Sequence, residues 1–307
     1  MRRLLASLVV PALTLTACGG DLNNENISEE SLSVVAAFYP LAEVAEQIGG
    51  GAVEVTNLTP PGAEPHDIEL RSDQLDAVID ADVVLYLGFG FQPALDEAVG
   101  RTEGVVLDVL EGQDLMLGEA DEHEDETAEE EEAIDPHVWL DPSRWAEVVE
   151  RIGAAFAEAD PSSADSFEAG ADVYADELVE LDLEFDEDLS ACERNVIVTS
   201  HAAFGYLAAR YGLEQHPISG VSPEAEPDPE RLAELADLVK DEGVTTIFTE
   251  TLLPPDIAET LARETEADVA TLNPIEGLTS DQIENGEDYM SVMRENLVAL
   301  RAGLGCQ

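Results

Sequence analysis

Three of the five histidines in the chain stand in phrases where an imidazole could bind a metal ion. They are His66 in GAEPHDIEL, His137 in IDPHVWLDP and His201 in VTSHAAFGYL. Neutral imidazole is the commonest metal ligand in proteins, and a metal ion needs several ligands at once. The sequence contains no CxxC, HExxH or Walker-type motif that would indicate a competing chemistry. A single histidine in a loop is most often a capping or surface residue, so a metal site depends on whether the fold brings the three together.

Alternating strand and helix patterns on both sides of the middle of the chain must position these histidines. In residues 34–141, the runs VVAAF, AVEVTNL, DVVLYLGF and GVVLDVLEG predict strands, and helical patterns separate them. Residues 191–307 have a similar plan, with predicted strands RNVIVTSH, VTTIFTE and DVATLNP and a predicted loop HPISGVSPEAEPDP. Strands that alternate with helices indicate parallel sheets. The predicted fold class is therefore α/β, with two similar domains.

A helical segment, residues 142–190, separates the two predicted domains. It begins with the helical phrase PSRWAEVVERIGAAFAEAD, and after Pro161 the pattern stays helical for about thirty residues, whereas an average helix has about 11–12. This length predicts a long, rigid linking helix that joins the two halves.

The three histidines lie in predicted loops or at predicted strand ends. In open α/β sheets, ligands bind outside the carboxyl ends of the strands. Two such domains that face each other form a cleft, with His66 and His137 on one side and His201 on the other. We therefore expect a metal cleft between the two domains.

The chain is strongly acidic, because 13 Lys and Arg against 69 Asp and Glu give a net charge of −56. Such a surface repels nucleic acid and anionic membranes, so nucleic acid is not an expected partner. We interpret the charge as a solvated coat whose self-repulsion is screened in salty surroundings. Acidic residues are densest in 119–132, which predicts a mobile surface loop, and His123 within it is expected to be solvated or to hold cations weakly.

The N-terminal residues have the layout of a secretory signal. The positive MRR precedes the apolar run LLASLVVPALTL, which is too short for a permanent membrane span. The phrase LTAC that follows resembles a bacterial lipobox, which implies removal of residues 1–17 and acylation of Cys18. Residues 18–33 then form a flexible tether to the outer face of the cytoplasmic membrane. The alternative is an ordinary signal in which Cys18 is accidental.

Two further cysteines, Cys192 and Cys306, remain in the chain. In an exported protein such a pair favours a disulfide. Closing a loop of over a hundred residues would stabilise the fold by roughly 4–5 kcal/mol in the chain-entropy model. Two free buried thiols are the alternative.

Several phrases together make the chain similar to a known family. AAFYPLAEVAEQIGG, PHDIEL, DPHVWLDP, TSHAAFGYLAARYGL, IFTE and LNPIEGLT resemble phrases of the zinc- and manganese-type (ZnuA-like or TroA-like) solute-binding proteins of bacterial ABC importers. The resemblance covers nearly the whole chain from Val34 onward. It implies two α/β domains, a rigid linking helix and one metal ion in the interface. It also implies a monomeric receptor that delivers its metal to a membrane permease powered by an ATPase.

The resemblance also implies a set of ligands. The three imidazole positions of the family fall on His66, His137 and His201. Manganese carriers usually have a carboxylate at the third position, so an imidazole there points to Zn²⁺ rather than Mn²⁺, and three nitrogen ligands suit Zn²⁺. The family commonly has an aspartate as its fourth ligand, where this chain has Asn273 in LNPIEGLT. The candidates for the fourth ligand are Asn273, Glu250 and water, although Glu250 could instead orient a histidine.

The sequence therefore predicts a zinc receptor that is not an enzyme, and three alternatives stay open. The first is a receptor of the same type for Mn²⁺ or another divalent metal. The second is a zinc hydrolase with Glu250 as its base, which the absence of an HxH or HExxH pair disfavours. The third is an anchored surface adhesin that uses its metal structurally.

Overall fold

A parallel sheet of four strands forms the centre of each half in the computed structural model, which describes residues 31–66, 68–118, 134–223 and 227–307. The first sheet has the strand order β2-β1-β3-β4 and consists of β1 (Leu32–Ala36), β2 (Val53–Asn57), β3 (Val83–Tyr86) and β4 (Val105–Asp108). The second has the equivalent order β6-β5-β7-β8 and consists of β5 (Val196–Thr199), β6 (Glu214–Pro217), β7 (Thr246–Thr249) and β8 (Asp268–Thr271). The predicted α/β fold with two similar domains is confirmed.

Helices connect the strands and cover the sheets. In chain order the described α-helices are α1 (Tyr39–Gly49), α2 (Ser72–Asp80), α3 (Pro93–Ala98), α4 (Pro142–Ala159), α5 (Ala164–Leu189), α6 (Gly205–Tyr211), α7 (Pro229–Asp241), α8 (Asp256–Thr265), α9 (Ser280–Asn285) and α10 (Tyr289–Leu304). Proline is tolerated in the first turn of α1, α3, α4 and α7, because a backbone N–H there would have no acceptor within the helix. Among the described residues, no helix has the length and apolar character needed to cross a membrane.

The segment between the two sheets consists of two packed helices, α4 and α5, separated by residues 160–163. α4 packs on the first sheet, whereas α5 contacts α1 of the first half and both α6 and α10 of the second. Asp182 of α5 pairs with Arg210 of α6 at 2.6 Å, and Glu184 of α5 pairs with Arg294 of α10 at 2.8 Å. α5, with 26 residues, is thus the long helix that connects the two halves.

Buried apolar strands explain why the two sheets form. The side chains of Val83, Val84 and Leu85 in β3 are fully buried, as are those of Ile197 and Val198 in β5. Such continuous apolar strands are typical of parallel sheets that are covered on both faces. The larger apolar cluster includes residues of both halves and of α4 and α5, so the halves share a packed core.

Two boundaries differ from the sequence expectation. β1 begins at Leu32, two residues inside the expected tether 18–33. β6 has the sequence EQHP and lies partly in a stretch expected to be a loop. Within the part of the chain that the structure describes, it is an edge strand paired with β5 alone, so polar residues and a terminal Pro217 are tolerated there.

The predicted disulfide is present and joins Cys192 to Cys306, which are 114 residues apart. It ties the segment after α5 to the end of α10. The expected signal 1–17, Cys18 and the acidic loop 119–132 with His123 lie outside the described residues.

Candidate metal centre

Four side chains converge where the two halves meet: His66, His137, His201 and Glu276. One ligand atom from each lies within 4.8 Å of the other three. The Oε1 atom of Glu276 lies 3.2, 3.1 and 3.3 Å from the Nε2 atoms of the three histidines in that order. The Nε2 atoms of His137 and His201 are 3.3 Å apart. The structure thus brings the three predicted histidines together and adds a carboxylate.

Each of these four residues follows the carboxyl end of a strand. His66 lies in the loop after β2, and His137 directly precedes a short 3₁₀ helix (Val138–Leu140) in the segment after β4. His201 lies two residues beyond the end of β5, and Glu276 lies in the loop after β8. Since the carboxyl ends of parallel strands share one edge of a sheet, both sheets present their ligands at the edges that face each other.

Asp135 fixes the orientation of His137. Its Oδ1 atom lies 2.7 Å from His137 Nδ1 and also accepts the backbone N–H of His137 at 2.9 Å. A proton held on Nδ1 leaves the lone pair of Nε2 free for a metal ion. The second half approaches Asp135 closely, because a Cβ atom at Gly205 would lie 2.6 Å from Asp135 Oδ2. Tyr206 next to it donates its hydroxyl to the Asp135 carbonyl at 2.9 Å.

Glu250 fixes the orientation of His201 in the same way. Its Oε2 atom lies 2.6 Å from His201 Nδ1, and its Oε1 atom accepts the backbone N–H of His201 at 2.9 Å. Both oxygens are therefore turned to the outer side of the imidazole, away from the four ligand atoms. Of the two roles predicted for Glu250, this arrangement favours the orientation of a histidine over metal binding.

His66 is held by packing and by its backbone. Its ring packs edge-on against Phe91, with the ring centroids 4.6 Å apart. Gln92 Nε2 donates to the carbonyl of Pro65 at 3.0 Å and so holds the loop. The side chain of His66 is 11% exposed, whereas those of the other two histidines are fully buried. An open pocket of about 230 Å³ borders His66, so this ligand is the one nearest to solvent.

A tight turn in LNPIEGLT presents Glu276. The side chain of Asn273 accepts the backbone N–H of Ile275 at 2.8 Å, and Ile275 has a φ of 58°. This left-handed conformation is uncommon for a β-branched residue, so the Asn273 hydrogen bond supports a strained turn. The carboxylate beside the histidines is therefore Glu276, whereas the sequence predicts Asn273, Glu250 or water as the fourth ligand. The only sequence signal for Glu276 was its position in the same phrase as Asn273.

Hydrogen bonds between buried groups hold the two halves in register. Trp139 Nε1 donates to the carbonyl of Pro274 at 2.7 Å, which joins the His137 loop to the turn before Glu276. Tyr289, at the start of α10, donates its hydroxyl to the carbonyl of Trp139 at 2.6 Å. Its backbone N–H donates to Glu43 of α1 at 2.9 Å.

The electrostatics of the centre favour positive charge. Burial lowers the pKa of His66 below its usual value. Burial acts in the same direction on His137 and His201, but neighbouring carboxylates outweigh it, so the pKa of His137 is raised and that of His201 lies well above its usual value. Burial acts to raise the pKa of Glu276, but the charge of His201 and hydrogen bonds from the three rings hold it well below its usual range. A carboxylate anion thus faces three imidazoles that bind either protons or a metal ion.

The spacing of the ligand atoms fits a tetrahedral metal ion. Four ligand atoms about 2.0–2.1 Å from Zn²⁺ in a tetrahedron lie about 3.3 Å from one another. Four of the six distances between the ligand atoms, from 3.1 to 3.3 Å, agree with this edge length, and all six lie within 4.8 Å. The donor set is three nitrogens and one oxygen, with two imidazoles already fixed in the tautomer that a metal requires.

Comparisons with known proteins lead to the same class of protein. The sequence model of the ZnuA family, described as the periplasmic component A of a zinc-uptake complex, matches residues 34–303. The zinc-binding protein AdcA of Streptococcus pyogenes is 36% identical over 290 residues, which are 90% of this chain but 56% of AdcA. The chain therefore spans just over half the length of that relative. The high-affinity zinc uptake system protein ZnuA of Bacillus subtilis is 34% identical over 300 residues, which are 95% of this chain and 94% of that protein.

Solved structures agree in fold. The Zn(II)-bound ZnuA-like domain of Streptococcus pneumoniae AdcA matches with a TM-score of 0.75 and 34% identity, covering 90% of this chain and 99% of that domain. The laminin-binding protein Lmb of Streptococcus agalactiae matches with a TM-score of 0.80 and 31% identity, covering 90% of this chain and 100% of Lmb. Since the family model spans most of the chain and the relatives share about a third of its residues, the chain belongs to the ZnuA family.

Proposed function

We propose that this protein is an extracytoplasmic receptor that captures one Zn²⁺ ion and delivers it to an ABC-type membrane permease. The proposal is supported chiefly by the convergence of three imidazole nitrogens on one carboxylate oxygen at 3.1–3.3 Å, with all four atoms within 4.8 Å of one another. Zinc is the cargo of the protein, and the ligands come from both halves. The bound ion therefore links the two domains through their side chains.

The donor set favours Zn²⁺ over Mn²⁺. Zn²⁺ accepts imidazole and carboxylate ligands in a tetrahedron, whereas Mn²⁺ prefers oxygen ligands in octahedral sites. Asp135 and Glu250 present His137 and His201 in the tautomer that binds metal through Nε2. A manganese receptor of the same type remains the alternative, and the relative affinities for the two ions decide between them.

A transport role explains the arrangement better than catalysis. A catalytic zinc site has three protein ligands and keeps one position for water or substrate. Here Glu276 supplies a fourth protein ligand to the three histidines. Because the ligands come from both domains, metal binding is coupled to the relative position of the domains. A permease can recognise that position.

Export and anchoring follow from the N-terminal residues. The phrase LTAC supports acylation of Cys18 and attachment to the outer face of the cytoplasmic membrane. One relative, of Streptococcus pneumoniae, is named a zinc-binding lipoprotein and is 36% identical over 304 residues, which are 97% of this chain and 60% of that protein. The partners that this role requires are a membrane permease and its ATPase.

Calorimetric titration of the chelator-stripped protein tests the metal assignment. We expect one tight equivalent of Zn²⁺, much weaker Mn²⁺ binding, and loss of the tight equivalent in His66→Ala. His216→Ala is the matched control, since His216 pairs with Glu214 in β6, outside the centre. Several weak equivalents that persist in His66→Ala would show that the acidic surface binds the cations, and the proposal would fail.

Delivery requires a separate experiment. The permease and its ATPase, reconstituted in lipid nanodiscs, should hydrolyse ATP faster with the zinc-loaded protein than with the stripped protein. Equal stimulation of ATP hydrolysis by the zinc-loaded and the stripped protein would show that the permease does not distinguish them, and would contradict the delivery role.

A second candidate function is adhesion. Lmb of Streptococcus agalactiae is described as a bifunctional protein with adhesin and metal transporting activity, and its structure resembles this chain at 31% identity. An adhesin role predicts saturable binding of the zinc-loaded protein to immobilised laminin. Binding no greater than that of an unrelated protein of similar charge would exclude it.

A further inference from the structure

A buried carboxylate, that of Glu43 in α1, joins α1 to the start of α10. The residue is 6% exposed, and its Oε2 and Oε1 atoms accept the backbone N–H of Tyr289 at 2.9 and 3.2 Å. Tyr289 is the first residue of α10, so this N–H has no acceptor within its own helix. The hydroxyls of Tyr39 in α1 and Tyr174 in α5 also donate to the carboxylate. Both oxygens of Glu43 therefore act as acceptors.

From this anchored end, α10 contacts the loops that carry two of the metal ligands. The hydroxyl of Tyr289 donates at 2.6 Å to the carbonyl of Trp139, which lies two residues after His137. Further along the helix, the buried side chain of Asn296 accepts the backbone N–H of Asn273 and donates to its carbonyl, both at 2.7 Å. Asn273 begins the turn that presents the carboxylate ligand. α10 thus holds one ligand loop of each half.

The contact of Glu43 with α10 crosses from one half to the other. A Cβ atom at Gly170 of α5 would lie 2.6 Å from the carbonyl oxygen of Ile48 in α1, so α1 and α5 touch closely through their backbones. α10 packs on β7 and β8 of the second sheet. An ion pair of Glu184 with Arg294 also joins α5 to α10, but both side chains are exposed, and exposed pairs contribute little. The buried carboxylate is the stronger of these two contacts.

We infer that Glu43 is a positioning residue for the metal centre, which acts through α10 to hold the two halves in the arrangement where all four ligands meet. This inference rests on the proposed function, because the arrangement matters only if a metal ion binds between the halves. When only a fraction of the molecules has the binding arrangement, the apparent affinity falls by that fraction. Loss of the Glu43 contact should lower this fraction in the metal-free protein without altering any ligand.

Substitutions of Glu43 separate positioning from a general loss of stability. Glu43→Met removes both acceptors, keeps a side chain of similar length and leaves the buried N–H of Tyr289 unpartnered. That cost is enough to shift the equilibrium between arrangements about tenfold. Glu43→Gln keeps one oxygen that can accept this N–H, so it should restore most of the affinity. Glu184→Gln is the matched control, because it weakens an exposed contact between α5 and α10.

The probe is Zn²⁺, which competes with a chromophoric chelator for the stripped full-length protein. We expect about tenfold weaker binding in Glu43→Met, at most about threefold weaker binding in Glu43→Gln, and no change in Glu184→Gln. X-ray absorption at the zinc edge should show the same ligands in every saturated protein. In small-angle scattering, zinc should reduce the radius of gyration more in Glu43→Met than in the unmodified protein. A residue with only a structural role would change the free energy of unfolding and none of these readouts.

Tyr289→Phe tests the path through α10 and replaces Glu43→Met if that variant does not fold. It removes the hydroxyl bond to Trp139 and leaves the backbone N–H on Glu43. Zn²⁺ affinity should again fall about tenfold. The double variant should lose little more than either single variant, because both changes act along one path. A loss of about a hundredfold in the double variant would show independent effects and overturn the inference.

The remaining outcomes also decide the question. Unchanged Zn²⁺ affinity in Glu43→Met, or in Tyr289→Phe if the first variant does not fold, overturns the inference. In that case tight zinc binding by the unmodified protein leaves the proposed function intact. If the unmodified protein binds no tight equivalent of Zn²⁺, the proposed function and this inference fail together.

Discussion

Replacing Glu276 by Gln removes the one carboxylate that contacts all three imidazoles. The Oε1 atom of Glu276 lies 3.1–3.3 Å from the three Nε2 atoms, and the residue is 1% exposed. Gln has the same shape, so the change removes charge and leaves the packing of the turn intact. The expected loss of metal affinity therefore reports the electrostatic contribution of this ligand.

The magnitude follows from the burial of the pair. Removing one partner of a buried charged pair costs about 3–5 kcal/mol. Because each 1.4 kcal/mol is a tenfold change in affinity, Glu276→Gln should bind Zn²⁺ roughly 100- to 4,000-fold more weakly. Glu276 also raises the pKa values of His137 and His201, so its removal reduces competition by protons. Below neutral pH, the weaker competition by protons partly offsets the lost charge, so the decrease in Zn²⁺ affinity should lie near the lower end of this range.

Competition with a chromophoric zinc chelator at pH 7.5 measures the affinity of the tight site. Glu264→Gln, an exposed position on α8 with the same change of charge, is the control and should bind as the unmodified protein does. Circular dichroism confirms that both variants fold. An affinity for Glu276→Gln within threefold of the control would refute Glu276 as a ligand.

Four further predictions concern stability and pH. Trp139→Phe leaves the buried carbonyl of Pro274 without its hydrogen-bond donor, so it should lower the free energy of unfolding in urea about 1–3 kcal/mol more than Trp145→Phe does. Trp145 is the control, because it is equally buried and its Nε1 has no partner among the described residues. An equal loss of stability in the two variants would contradict this prediction. Cys306→Ser opens a bridge between residues 114 apart and should lower that free energy by about 5 kcal/mol in the chain-entropy model, whereas an unchanged urea midpoint would contradict it. Since the pKa of His201 is raised well above 6.5, Zn²⁺ affinity should keep rising as pH increases above 6.5. Zn²⁺ binding at pH 7 should also release protons, and calorimetry in two buffers of different ionisation enthalpy measures their number. For the same reason the metal-free protein should lose stability as pH rises through the raised pKa, and a flat affinity and stability from pH 6 to pH 9 would contradict both statements.

The fold could be predicted from the sequence where burial imposes a clear pattern. The runs VVLY and VIVT are continuous apolar strands, and both lie at the centre of a sheet. β6 could not be predicted in the same way, because EQHP is polar and ends in proline. An edge strand pairs on one side only, so it needs neither the apolar pattern nor every backbone donor.

The three histidines could be predicted because each stands in a phrase typical of the family. Glu276 could not, since its position depends on a turn with Ile275 in a left-handed conformation. That turn moves the side chain three residues after Asn273 into the cleft, and no periodicity in the sequence encodes it. Asn273 was expected at the metal, but its side-chain oxygen accepts the backbone N–H of Ile275.

The halves are joined by contacts that the sequence does not reveal. Glu43 of α1, Tyr174 of α5 and Tyr289 of α10 are far apart in the chain, yet both tyrosines donate to the Glu43 carboxylate. Tyr39 also donates its hydroxyl to Glu43. Such a buried network fixes the distance between the domains, and with it the spacing of ligands that come from both.

Anomalous diffraction at the zinc absorption edge, from crystals of the zinc-loaded protein, locates the bound ion. We expect one strong peak between the halves, about 2.0–2.2 Å from the Nε2 atoms of His66, His137 and His201 and from a carboxylate oxygen of Glu276. Peaks scattered over the acidic surface, or a peak whose ligands do not include all four residues, would contradict it.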